Sequence, residues 1–225
     1  MRIAVRPLFW GLLFLATSTA ALADTITWAT WNTSTGSTAT GTIGSITVTY
    51  TGEIAFFTSA SPGNFNYFAP TSTYVGGAIG NGPPAANGFI GIDGTATTHT
   101  FTFSAPVSEI AFSVISLGQV SVPTTYNFDQ PFAIEACGPN VVFGGGCPTE
   151  SGNSLIGHES DGTILFTTST PISTLSFIGA NPEFWNGITV GVAQGPSAVP
   201  EPESLLLVST GILGIAGLIR RRFCA

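Results

Sequence analysis

"THTFTFSAPVSEIAFSVI", residues 98–115, is the stretch whose reading decides the fold. Before Pro106, phenylalanines at 101 and 103 alternate with threonines. After it, Ile110, Phe112 and Val114 fall on one side. A period of two built from β-branched and aromatic residues is the signature of a strand with one buried face. The proline between the halves has no N–H to give to a ladder. It therefore predicts that the first strand stops, the chain turns a corner, Val107 points inward and a second strand begins. The same design returns as "PISTLSF", residues 171–177, against "PVSEIAF", residues 106–112. The echo predicts two equivalent corners of one fold and not a true repeat.

Outward from this stretch the pattern holds. "SITVTY" sets Ile46, Val48 and Tyr50 on one face, "TILFTT" and "TLSFIG" follow later, and "GITVGV" ends near Val192. Gly, Pro and Asn punctuate these segments, and helix-forming runs are absent. About ten short antiparallel strands in a body of about 175 residues predict an all-β domain. The expected architecture is a two-layer β-sandwich of jelly-roll type.

Charge is distributed unevenly. The five cations are Arg2, Arg6, Arg220, Arg221 and Arg222, and all twelve carboxylates lie between them in the chain. A body without a cation cannot neutralise phosphates, which excludes nucleic-acid binding. Its stability must come from apolar burial, backbone ladders and cross-links. An anionic body also repels anionic polymers unless Ca²⁺ bridges them.

Both ends read as membrane-directed. Arg2 and Arg6 precede an apolar run at 8–16, and "ALA" at 21–23 gives a small-x-small cleavage signature before Asp24. Residues 1–23 are therefore read as a secretory signal peptide. At the other end, residues 204–219 form an uncharged run of sixteen, about 24 Å as a helix against roughly 30 Å of bilayer hydrocarbon. Arg220, Arg221 and Arg222 bound it and favour the cytoplasmic side, so a C-terminal transmembrane helix is expected with the body outside. Between body and helix, "VPEPE" carries Val199, Pro200, Glu201 and Pro202. The prolines fix φ and hold this segment extended.

This order of Pro-Glu-Pro, short apolar helix and terminal Arg cluster resembles the PEP-CTERM sorting signal of exported proteins in Gram-negative exopolysaccharide producers. The resemblance covers about residues 199–222. It implies an exosortase as processing partner, after the secretion machinery has carried the chain across. It also implies a transient stay in the inner membrane, then release or attachment at the cell surface, and a role in the exopolysaccharide matrix. The expected organisation is a signal peptide (1–23), an exported β-sandwich domain (24–198) and a sorting signal (199–225).

Export brings an oxidising compartment. Cys137 and Cys147 bracket the turn-rich "GPNVVFGGG" and are expected to close a disulfide, the alternative being two free thiols. Cys224 stands apart behind the arginines.

The remaining candidates are local. Residues 58–88 form a long Gly-, Pro- and Asn-rich stretch carrying Phe65, Tyr67, Phe68 and Tyr74. These aromatics either make a sugar-stacking surface, which would mean a carbohydrate-binding module, or pin the loop to the domain. His158, Glu159 and Asp161 are the densest polar cluster, a metal (Ca²⁺) site by one reading. By the other, Asp161-Gly162 is a turn leading into a strand. Asp93-Gly94 is read as a second turn, His99 as a solvent-facing strand residue and Glu135 as decoration beside Cys137. No GxSxG is present, and a glycosidase pair of acids has no support from spacing. No catalytic residue and no cofactor are expected, so the function predicted is that of a non-enzymatic exported protein.

Overall fold

The computed structural model describes residues 23–93, 97–181 and 183–194. The signal peptide, the sorting segment, its apolar run and Gly94 of the expected Asp93-Gly94 turn lie outside the described residues. Among those described, thirteen strands form one sheet in which every named pair is antiparallel. In chain order they are β1 (Thr25–Trp28), β2 (Thr30–Thr35), β3 (Thr38–Ile43), β4 (Ile46–Thr51), β5 (Phe56–Thr58) and β6 (Phe89–Ile92). Then come β7 (Thr98–Leu117), β8 (Thr124–Phe128), β9 (Ala133–Cys137), β10 (Thr149–Ser151), β11 (Ser154–Gly157), β12 (Ser160–Ala180) and β13 (Asn186–Gln194). One helical turn, α1 (Thr71–Tyr74), interrupts the loop between β5 and β6. The all-β expectation is met.

Two very long strands make the architecture. β7 has 20 residues and β12 has 21, and they pair along most of their length. The first half of β7 lies between β4 and the second half of β12, which is followed by β8, β11 and β10. The second half of β7 lies between β13 and the first half of β12, with β9 on the far edge. β13 then carries β6 and β1 on its other side, at opposite ends. One sheet is thus bent into two half-sheets that share β7 and β12.

The bend falls at the prolines, but they do not stop the strands. Thr167 pairs with Glu109 and Thr174 with Thr102, while only Ile172↔Val107 pairs between them. Pro106 and Pro171 therefore sit in the register break, where a missing N–H costs no ladder bond. The expected corner is real as a bend, and the expected strand end is corrected: each strand runs through. Val107 turns into the core as expected.

The buried faces of the half-sheets meet in one core. Phe101 lies 6.0 Å from Phe112, and Phe112 lies 5.3 Å from Phe128 and 5.7 Å from Phe177. Polar bridges cross the same gap. Trp31 Nε1–H donates to Thr189 Oγ1 at 3.0 Å, and the Tyr126 hydroxyl donates to Asn186 Oδ1. These pairs let buried polar atoms keep partners and hold the two layers in one relative position.

β7 shows why one half-sheet differs from the other. Its first half alternates exposed and buried residues, but every residue from Ile110 to Leu117 is buried. The second half-sheet is therefore covered on its outer face too. The cover is the loop between β5 and β6. Ile79 packs with Ala111, Leu165, Ile26 and Trp28, while Phe68 and Tyr74 pack with Ile115 and Phe89. Asn81 binds the loop to β1, accepting from the Ile26 N–H at 2.7 Å and donating to the Ile26 carbonyl at 2.9 Å.

Cys137 and Cys147 form a disulfide across a sequence separation of 10. Inside the closed loop Asn140 uses its whole amide. Nδ2 donates to the Tyr67 carbonyl at 2.6 Å and the Tyr74 hydroxyl at 2.8 Å, and Oδ1 accepts from the Val142 N–H at 2.7 Å. The disulfide loop thus clamps the covering loop. Removing the bond by Cys137→Ala with Cys147→Ala is expected to cost roughly 2.5–3 kcal/mol on the chain-entropy estimate. Thermal melts of the variant and parent check it. A peptide map without reductant in which both thiols are alkylated would contradict the bond itself.

Candidate functional site

The aromatics expected on the covering loop separate into two groups. Phe68 and Tyr74 are buried, with ring centroids 5.3 Å apart, and they pin the loop to β7. Phe65 is 58% exposed and Tyr67 is half-buried, 5.0 Å away. Only the second pair presents rings at the surface. Those rings are joined by residues that sequence reasoning missed. Tyr67 stands 5.2 Å from Phe89; Phe89 lies 5.6 Å from Phe56; Phe56 is 5.1 Å from Trp185; and Trp185 is 5.0 Å from Phe143. Phe184, beside Trp185, is 89% exposed. The signal for this part was "EFWNG", residues 183–187, where two large rings sit side by side at the mouth of a strand.

The polar cluster is also rearranged. The turn between β11 and β12 is made by His158 and Glu159, the latter at φ 62°, and not by Asp161-Gly162. The expected Asp-Gly turn is corrected: Asp161 is already in β12 and wholly buried. The reason is packing. Gly162 sits against Ala136 and Cys137 of β9, where a Cβ would meet the Ala136 carbonyl oxygen at 2.4 Å, so this glycine serves close strand contact. Asp161 Oδ1 accepts the Ser116 N–H at 2.9 Å and the Tyr74 hydroxyl at 3.3 Å, while Oδ2 has no hydrogen-bond partner among the described residues. Burial pushes the Asp161 carboxyl up to about 7, against the pull of the Ser116 N–H and the Tyr74 hydroxyl. Glu159 accepts from the Ser116 hydroxyl, and the His158 ring points to solvent. The three candidate metal ligands therefore do not converge. Among the described residues no group of three His, Cys, Asp or Glu side chains is placed to hold a metal ion.

A second buried acid, Glu183, was not foreseen. Burial raises its carboxyl to about 7, opposed by the Gly118 N–H and the Asn186 amide. Without Lys or Arg in residues 23–194, neither buried acid has a cation from this body to pair with. Glu135 does more than decorate its loop: its Oε2 accepts the Ala78 N–H at 2.8 Å and fastens the covering loop.

His99 corrects another expectation. It is fully buried, stacked 4.6 Å from Phe177, with Nδ1 2.6 Å from the Tyr50 hydroxyl. The Tyr50 proton goes to the Glu53 carbonyl at 2.6 Å, which can only accept. Nδ1 therefore carries the ring proton and donates to Tyr50. Burial lowers His99 to about 4, so the ring is neutral at pH 7. It lies in the register Phe177↔His99, on the face that Phe101 and Phe103 also bury, so alternation from Phe101 backwards points it inward.

The dip lined by Phe65, Tyr67 and Phe89 holds no space that a water could enter. Two broader hollows lie on the outside of β12 beside Gln130, Pro131 and Thr167. Among the described residues no helix is long and apolar enough to cross a membrane.

The comparisons with known proteins bear on the end of the chain. The PEP-CTERM protein-sorting motif matches residues 198–222. That stretch holds Val199, Pro200, Glu201, Pro202, Arg220, Arg221 and Arg222. Neither a curated protein nor a solved structure matches the chain.

Proposed function

We propose that this chain, whose residues 198–222 match the PEP-CTERM protein-sorting motif, is an exported protein sorted by an exosortase and a non-enzymatic component of the exopolysaccharide matrix. The motif at residues 198–222 is the observation that carries this reading. The signal peptide takes the body across, the apolar run holds it in the inner membrane with the arginines inside, and cleavage near Pro-Glu-Pro leaves it at the cell surface or in the matrix. The arrangement of cations supports that orientation. The bent strands shared between two half-sheets support a jelly-roll-like scaffold, rigid enough to display loops. A non-enzymatic role is supported by the dispersal of the candidate acids: Asp161 and Glu183 are buried, and Glu159 is bonded to Ser116.

Mass spectrometry of material exported from an exosortase-bearing host tests the sorting step. The expected mature chain lacks residues 1–23 and the apolar run 204–219. Exported protein whose C-terminus is uniformly intact would overturn the proposal.

A further inference from the structure

We infer that the surface formed by Phe56, Phe65, Tyr67, Phe143, Phe184 and Trp185 is a binding platform for an uncharged polysaccharide chain. The inference rests on the matrix reading above and names the polymer chemistry the protein meets there. The six rings come from four separate segments: β5, the covering loop, the disulfide loop and the entry to β13. Folding brings Phe56, Phe65, Tyr67, Phe143 and Trp185 to one end of the second half-sheet in edge-to-face contacts, with the exposed Phe184 next to Trp185 in the chain. The planes of Phe56 and Trp185 cross at 81°, and those of Phe143 and Trp185 at 83°. Phe89 lies buried beneath Tyr67 and Phe56, and the disulfide and Asn140 hold Phe143's loop in place. Rigid rings with exposed faces lose little entropy when a ligand lies on them.

Three observations select the ligand. No Lys or Arg occurs in residues 23–194, so the body has no permanent positive charge to receive a polyuronate, a sulfated glycan or an anionic lipid headgroup. Between Phe65, Tyr67 and Phe89 the surface dips without room for a water, which suits a polymer lying across it better than a small molecule held within. Pyranose rings with equatorial hydroxyls present flat C–H faces that stack on aromatic rings. Asn64 and Asn66 stand on either side of Phe65; Asn64 Nδ2 donates to the Ser59 carbonyl and Asn66 Oδ1 accepts the Phe68 N–H, so the amide ends left to a ligand are Asn64 Oδ1 and Asn66 Nδ2.

Position argues against a membrane. Trp185 stands at the start of β13 and the chain leaves toward its sorting tail after Gln194, nine residues further along one strand. At about 3.3 Å per residue that separates platform and exit by about 30 Å. While the tail is anchored, the platform lies at the pole remote from the point of exit.

The test uses the full-length chain in detergent with cellohexaose, maltohexaose and a linear mannan hexamer as neutral probes and a polyuronate hexamer as the charged one. Of the four tryptophans, Trp10 lies in the signal segment, Trp28 and Trp31 are buried and Trp185 is half-exposed, so an emission change that is lost in Trp185→Phe reports on the platform. We expect a saturable shift with at least one neutral hexamer and none with the polyuronate. In Phe65→Ala with Phe184→Ala, affinity should fall at least ten-fold while the melting temperature stays unchanged, because both side chains are exposed. A wild-type chain blind to all neutral probes, equal affinity for the polyuronate, or an unaltered variant would overturn the inference. So would a concentration-dependent dimer that the variant abolishes without any glycan binding, since the platform would then belong to a second copy. Cell fractionation separates the two readings. A chain that binds the neutral hexamer but is missing from the matrix defeats only the matrix reading. A double variant retained in the matrix with full glycan affinity defeats only this one.

Discussion

Phe112→Ala is expected to destabilise the protein by about 3–5 kcal/mol, the range for truncating a fully buried phenylalanine. Phe112 has no exposed surface and is the hub of the core. Its ring stands 6.0 Å from Phe101, 6.4 Å from Tyr126, 5.3 Å from Phe128 and 5.7 Å from Phe177. All four neighbours belong to the first half-sheet and Phe112 to the second, so none can collapse into the gap without parting from its own layer. Domains are commonly stable by only about 5–15 kcal/mol, so the variant should be close to unfolding. Urea titration followed by near-ultraviolet circular dichroism measures the loss. Phe184→Ala, 89% exposed, is the control and should move the midpoint little. Equal effects in the two variants would contradict the core described above.

The second large effect is an inverted pH dependence. Asp161 and Glu183 are raised by burial from 3.8 and 4.5 to about 7. Between those limits the folded protein holds protons that the unfolded chain has released. Stability from these groups is therefore full below about pH 4 and is lost as pH rises through 7. His99, lowered from 6.5 to about 4, acts in the opposite sense: its folded form is neutral while the unfolded ring is charged, so its share of stability grows up to about pH 6.5. Two carboxyls outweigh one imidazole. The net expectation is a fall of about 3 kcal/mol between pH 5 and 8. In Asp161→Asn the amide still accepts from Ser116 and Tyr74, and the fall should shrink below about 1 kcal/mol. Chemical denaturation at a series of pH values checks both curves. A wild-type protein that gains stability over that interval would refute the burial of these acids.

Much of the fold was legible because alternation is a local property. Phe101, Phe103, Phe112 and Val114 carry their burial in their spacing, and so do Ile164 and Phe166. The same spacing would have placed His99 inside. It was read by residue type, as a polar group among threonines, and type misled where period did not. Pro106 and Pro171 were legible as interruptions, but sequence could not say that both breaks fall opposite one another. That coincidence lets two prolines become a shared bend and not two strand ends. Asp161-Gly162 has the composition of a turn, yet its glycine answers to the close approach of β9, a contact between residues 25 positions apart. The surface rings were the least legible part. Phe65 and Tyr67 were visible as a loop cluster, but Phe56, Phe143 and Trp185 join them only through tertiary structure. The sorting motif, by contrast, is continuous in sequence and needs no fold to be read.

β13 pairs with β7 on one side and with β1 and β6 on the other, and Thr25 lies opposite Gln194. The first and last strands of the body are thus neighbours, and the last one synthesised is an interior one. Until it emerges from the ribosome, the hydrophobic interior has an open flank and cannot shut. For a chain exported as proposed, that leaves the polypeptide threadable while β13 is still to come and defers locking to the far side of the membrane. Thr25 and Gln194 then leave the folded body at the same pole, like the two ends of a drawn cord.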